Sequence, residues 1–94
     1  MRIECRAQAL ADIDGIERYL KIRSVEAART VVRGIYDSIR AIAQTPNASE
    51  QTNEPGLRVK IVRRYRYKIF YRVVGEIVRI THIRHTSRRP RPKD

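Results

Sequence analysis

The sequence is poor in the residues that usually announce a chemistry. It holds one cysteine, Cys5, so no intrachain disulfide can form and a reducing compartment, the cytoplasm, is expected. Cys5 itself reads as a small apolar residue of a first strand rather than a reactive thiol. There are two histidines, His82 and His85, and no cluster of carboxylates near them, so neither a metal nor another cofactor is expected. Four glycines are scattered at 15, 34, 56 and 75, which excludes a glycine-rich phosphate loop. No stretch approaches the roughly 20 apolar residues needed to span a bilayer. Met1 to Cys5 contains no apolar run that would serve as a signal peptide.

Acidic residues are nearly missing from the second half. Residues 57–94 hold Glu76 and Asp94 against thirteen Lys and Arg, whereas residues 1–56 balance eight against eight. The whole net charge of +11 therefore lies in residues 57–94. A field so one-sided attracts a polyanion or an acidic protein. A membrane surface is not expected as a partner, because no basic amphipathic helix accompanies the charge. With 41% hydrophobic and 33% charged residues the chain reads as folded, and its 94 residues suffice for one domain, 1–94.

The hydrophobic pattern divides the chain. Arg2 to Arg6 alternates as a strand, with Ile3 and Cys5 on one face. From Gln8 the period becomes helical, with Leu10, Ile13, Ile16 and Leu20 in one stripe. That helix should end near Ile22, and Ser24 can cap a second helix over Val25 to Gln44. The second stripe is Ala28, Val31, Val32, Ile35, Ile39 and Ile42, and Pro46 marks its stop. Leu10, Ile13, Ile16, Val31, Ile35 and Ile39 are expected in the core.

Asn47 to Gly56 is polar and reads as a loop. Three strands follow. Leu57 to Val62 is expected to turn Leu57, Val59 and Ile61 to one side and Arg58, Lys60 and Val62 to the other. Tyr67 to Val73 places Tyr67, Ile69 and Tyr71 inward, with Phe70 and Arg72 opposite. Gly75 and Glu76 make a tight hairpin into Ile77 to His85, where Ile83 breaks the phase of Val78 and Ile80 and implies a bulge near His82. Residues 88–94 read as a basic mobile tail. The expected fold is α+β, in the order β-α-α-β-β-β, with one antiparallel sheet and a two-helix hairpin on one face.

In this order and spacing the chain resembles the RelE/ParE superfamily of type II toxin–antitoxin systems. The features are Ala9 with Asp12 and Ile13 in the first helix, Ser24 with Ala27 and Ala28 opening the second, and the Pro46 stop. After these come Gly56, Leu57 and Arg58, the run Tyr67 to Val73 (YKIFYRV), and the strand end Ile83, Arg84 and His85. The match extends to about Arg89. The resemblance implies a toxin encoded with an acidic, ParD-like antitoxin whose extended C-terminal segment wraps the helical hairpin and the sheet. It also implies one of two activities. ParE-like members poison DNA gyrase without nuclease chemistry, and RelE-like members cleave messenger RNA on the ribosome.

Metal-free RNA cleavage needs a base, an acid and stabilisation of the phosphorane charge. The candidates are His85 and Glu54, with His82 more plausibly structural, and Arg58, Arg84, Lys60 and Arg79 as cationic stabilisers. Some nuclease relatives carry a tyrosine after the corresponding histidine, whereas Thr86 follows His85 here. Arginine largely replaces their lysines, and arginine cannot act as a base at neutral pH. The ParE-like reading is therefore favoured, with no catalytic residue and with Arg84, His85, Arg88 and Arg89 as contacts for the target. A strand-end His85 bonded to a neighbouring group is an equally good account of that residue. For the antitoxin, Tyr19, Leu20, Ile22, Val32 and Tyr36 would form an apolar groove, and Arg64, Arg66 and Lys68 would meet its acidic part. A third reading is a nucleic-acid-binding module without catalysis, because the run Arg63 to Arg72 interleaves cations with aromatics.

Overall fold

The computed structural model describes residues 1–86. Its elements are β1 (Arg2–Cys5), α1 (Ala7–Lys21), α2 (Val25–Gln44), β2 (Glu50–Gln51), β3 (Arg58–Val62), β4 (Tyr67–Val74) and β5 (Ile77–His85). The strands form one sheet in the order β1-β5-β4-β3-β2.

Ser24 caps α2 as its position suggests, its hydroxyl accepting the Ala27 N–H at 3.1 Å. The side chains of Ala9 and Ile13 from α1 and of Ile35, Ile39 and Ile42 from α2 meet Tyr67, Ile69, Tyr71, Val78, Ile80 and Ile83 in one core. Tyr71, Ile35, Ile42, Ile69, Ile80 and Val78 are fully buried. Each such side chain contributes about 1.5–3 kcal/mol through removal from water. The alternation in β4 explains why the helices take one face only: Tyr67, Ile69 and Tyr71 are buried, while Lys68, Phe70 and Arg72 lie on the other face.

The sheet is mostly antiparallel, as expected, with one parallel pair. β1 pairs with β5 in parallel, Arg2 opposite Ile77 and Cys5 opposite Ile80, so the sheet is mixed. The reason is topological: α1 carries the chain away from β1, and the edge of β5 is open to a strand running in its own direction. The remaining pairs are antiparallel. The loop over 47–56 is also less plain than expected, since Glu50 and Gln51 form a short strand against Val59 and Arg58.

β3 alternates as expected, and its register shows which side meets the helices. Lys60 is opposite Ile69 and Val62 opposite Tyr67, so Arg58, Lys60 and Val62 share the helix-facing side. Val62 is buried, and Ile61 is 40% exposed on the other face. Leu57 is buried, but it precedes the strand and does not set its phase. α1 turns by about one position: Ala9 and Ile13 are buried and Leu10 is 50% exposed. Val31 is only partly buried, packed against the core. In β5 the register shifts opposite Phe70 and Tyr71, where Phe70 faces His82 and Tyr71 faces Ile80. Thr81 is thus the extra residue of a bulge beside His82, and it lets both Ile80 and Ile83 reach the core.

Candidate functional site

Two surfaces and one strand end bear on function. The first lies along the helical hairpin. Glu17 and Lys21 of α1 with Val25, Ala28, Arg29, Val32 and Arg33 of α2 line an open cavity of about 310 Å³. Val25, Ala28 and Val32 are its apolar lining, and the other four residues are charged. Around the connection between the helices Tyr19, Ile22 and Val25 are exposed, Ile22 at 87%. Arg23 lies over the Tyr19 ring, 4.5 Å from its centroid. Leu20 is partly buried. Of the residues expected to form the apolar groove, Val32 lines the cavity, Tyr19 and Ile22 are exposed but do not line it, and Tyr36 packs against the core.

The second surface is the sheet face opposite the helices. Arg72 of β4 stands directly opposite Arg79 of β5, a like-charge pair that each arginine relieves on its own flank. Arg72 pairs with Glu54 and donates to the Pro55 carbonyl at 2.9 Å, and Arg79 pairs with Glu4. Arg6, Ala7, Gln8, Arg72, Arg79 and Thr81 line an open cavity of about 600 Å³. Arg6 and Arg72 were not singled out from the sequence. They meet Arg79 because of the β1–β5 parallel pairing and the β4–β5 register, and no local pattern reveals either. Phe70 and His82 stack on this face with ring centroids 4.3 Å apart. Burial, and then the Arg84 charge, push the His82 imidazole below its ordinary value. Its Nδ1 is 3.0 Å from the Thr81 hydroxyl, which itself donates to the Phe70 carbonyl.

The residues considered for RNA cleavage are not brought together. Tyr67 is opposite His85 and Lys68 opposite Arg84, at one end of β4, whereas Arg58 is opposite Tyr71 and Glu54 is bound to Arg72. Four residues of strand separate these ends, about 13 Å. Adjacent in β5, Arg84 and His85 point to opposite faces of the sheet. His85 meets the Tyr67 ring edge-on, centroids 5.0 Å apart. Arg58 donates to the Ser49 carbonyl at 2.7 Å and the Asn47 carbonyl at 3.3 Å, tying down the loop after α2. Tyr71 does the same with the Pro46 carbonyl at 2.7 Å. Glu54, Arg58 and Arg72 thus already hold the loop that leads into β3.

Arg64 and Arg66 lie in the β3–β4 turn, and Lys68 lies on the open sheet face. Arg88 and Arg89, expected at the target contact, and the tail over 88–94 fall outside the described residues. Among the described residues no three His, Cys, Asp or Glu side chains gather to hold a metal ion. Nor is any helix there long and apolar enough to cross a membrane.

A family model described as the ParE toxin of type II toxin–antitoxin system, parDE, matches residues 3–90. No curated protein sequence matches the chain. Solved structures share its fold. A chain of the chromosomal ParDE TA system from P. aeruginosa superposes with a TM-score of 0.81 at 24% identity, covering 93% of this chain and 97% of that one. The isolated E. coli RelE toxin gives 0.67 at 15% identity, over 94% and 86% of the two chains. The intact E. coli RelBE toxin–antitoxin complex gives 0.66 at 15% identity, over 94% and 98%.

Proposed function

The chain belongs to the ParE toxin family of type II toxin–antitoxin systems, and on that premise we propose that it poisons DNA gyrase by binding and is neutralised by an acidic, ParD-like antitoxin. The family match over residues 3–90 carries this reading. The site geometry supports it in two ways. A binding toxin needs no acid–base pair, and here His85 lies at the other end of β4 from Glu54, which is paired with Arg72 and helps hold a loop. An antitoxin helix needs apolar surface, and Val25, Ala28 and Val32 line the α1–α2 cavity while Tyr19 and Ile22 are exposed at the same end of the hairpin. Leu20 and Val32 would complete the antitoxin contact, and the basic half of the chain would draw the acidic part of the antitoxin. The target contact would use the strand end at Arg84 and His85, with Arg88 and Arg89 following in sequence.

The test is to induce the chain alone and follow the DNA-damage response and transcript cleavage side by side. A damage response without cleavage is expected. His85→Gln, compared at matched protein level, should keep most of the toxicity, since glutamine retains hydrogen bonding but shuttles no proton at neutral pH. A general acid or base supplies about 10²–10⁴-fold in rate, so its loss from a nuclease would be unmistakable. Stable His85→Gln protein that loses both toxicity and transcript cleavage would replace this reading with ribosome-dependent RNA cleavage.

A further inference from the structure

Carboxylates are distributed unevenly over the arginines. Arg18, Arg40, Arg72, Arg79 and Arg84 each pair with an acid: Asp14, Asp37, Glu54, Glu4 and Asp12 respectively. The three arginines of the β3–β4 turn, Arg63, Arg64 and Arg66, are all exposed, and none has an acidic partner among the described residues. The turn that displays them is firmly built. Arg66 has a φ of 62°, a left-handed conformation that a residue with a Cβ rarely holds without support. Its N–H donates to the Val62 carbonyl at 2.9 Å, and its own carbonyl accepts the Thr86 N–H at 2.7 Å. Tyr65 turns its ring inward onto Gly34 of α2, where a Cβ would stand 2.6 Å from a ring carbon. The Arg64 guanidinium lies over that ring, 5.6 Å from its centroid. The turn therefore presents three cations and keeps its one aromatic inward. The contact between Arg66 and Thr86 sets the end of β5 beside it, and from there the sequence continues through Arg88, Arg89, Arg91 and Lys93.

We infer that the β3–β4 turn is a contact for duplex DNA, which it grips by the phosphate backbone without reading sequence. Three features select this occupant. Arginine forks pair with phosphate oxygens in bidentate fashion, and cations without accompanying carboxylates are what sequence-independent phosphate contact requires. Single-stranded nucleic acid is held by bases stacked on aromatic side chains, and here Tyr65 is committed to Gly34 while Tyr67 is buried. An acidic protein segment, the occupant the family resemblance implied for Arg64 and Arg66, would want an apolar centre inside the ring of charge, whereas residues 63, 64 and 66 are all arginine and Tyr65 is turned onto Gly34. The inference does not depend on gyrase being the target.

The experiment uses the full chain and a short DNA duplex of random sequence, with affinity measured across a series of salt concentrations. Each phosphate contact adds about 0.9 to the slope of log affinity against log salt. The variant R63A/R64A/R66G, in which glycine suits the left-handed position, should lower that slope by about 2–3. The variant R2Q/R6Q removes two exposed cations from the opposite edge of the sheet and should change the slope by less than 1, since the turn keeps its contacts. On the unmodified chain, backbone amide shifts caused by the duplex should centre on residues 63–66, a readout that needs no variant to fold. Equal slopes for wild type and R63A/R64A/R66G would overturn the proposal. So would an equal effect of R2Q/R6Q, which would make the binding a property of overall charge. A polyglutamate peptide that shifts residues 63–66 while the duplex does not would also overturn it and assign the turn to an acidic protein. Tighter binding of a single strand of the same sequence would overturn the choice of duplex.

Discussion

The Asp12 carboxylate of α1 accepts the backbone N–H of Ile83 in β5 at 2.8 Å, across 71 residues of sequence. Beyond Ile80, which is paired to Cys5, β1 no longer covers β5, and the exposed strand edge is taken over by this helix side chain. The same oxygen lies 3.5 Å from the Arg84 guanidinium, and the Asp12 side chain is only 13% exposed. One carboxylate therefore closes the sheet edge and docks the first helix on the last strand.

Asp12→Ala should accordingly destabilise the fold by about 1–3 kcal/mol, since it strands a partly buried N–H. Asp12→Asn keeps an acceptor oxygen and should cost less. Chemical denaturation of the three proteins side by side checks both the size and the order. A cost for alanine within measurement error would mean that water satisfies Ile83 equally well.

Gly34→Ala sets two effects against each other. Alanine favours a helix interior by about 0.8–1.0 kcal/mol over glycine. Its Cβ would fall 2.6 Å from the Tyr65 ring, and displacing a packed ring typically costs about 1–3 kcal/mol. Net destabilisation is expected. In a Tyr65→Ala background the same change should become stabilising, so a double-mutant cycle over positions 34 and 65 should show strong coupling. Additivity would show that the ring moves aside freely.

The His82 imidazole, pushed low by burial and by Arg84, makes stability pH-dependent. Above its ordinary value near 6.5 the ring is neutral in both folded and unfolded chains, and the stability is fully present. As pH falls, the unfolded chain takes up the proton first, so stability is lost until pH passes below the depressed folded value. Arg84 opposes protonation, and Asp12 and Glu54 partly offset it. His82→Gln should flatten the loss of stability between about pH 7 and pH 5, measured by thermal unfolding against wild type. An unchanged pH profile would mean that the ring protonates without penalty.

For the proposed antitoxin contact, Ile22→Asp in the exposed hairpin turn should weaken the complex at least about tenfold, the loss of a central apolar contact being worth about 1.4 kcal/mol or more. Stability of the toxin alone should barely change, because Ile22 is 87% exposed. Rising salt should slow association more than it speeds dissociation, given the charge on residues 57–94. Normal antitoxin affinity for Ile22→Asp would move the contact elsewhere.

Local signals were legible and distant ones were not. The Ser24 cap, the α2 stripe and the inward Tyr67, Ile69 and Tyr71 follow from spacing alone, and the broken phase at Ile83 revealed the bulge. The partner of β1 was hidden, because four alternating residues do not say which strand they join or in which direction. The alternation of β3 was legible but not which side faces the helices, because Arg58 and Lys60 share Val62's side near the sheet edge, with the Arg58 guanidinium tied to loop carbonyls. A two-residue strand such as β2 leaves no periodicity to read. In the candidate site the apolar hairpin turn was visible from its residues. The cavity around Arg6, Arg72 and Arg79 exists only once the register is known.

The parallel pairing of β1 with β5 also dictates when the molecule becomes complete. A ribosome makes β1 before the other elements of this domain, yet its partner is not synthesised until both helices and three further strands have been made. Throughout that interval the nascent chain has no closed sheet, and neither the Asp12 clasp nor the basic cavity can assemble. Translation products that stop short of β5 leave the first strand unpaired, so any toxicity that depends on the folded domain begins only after β5 has been made.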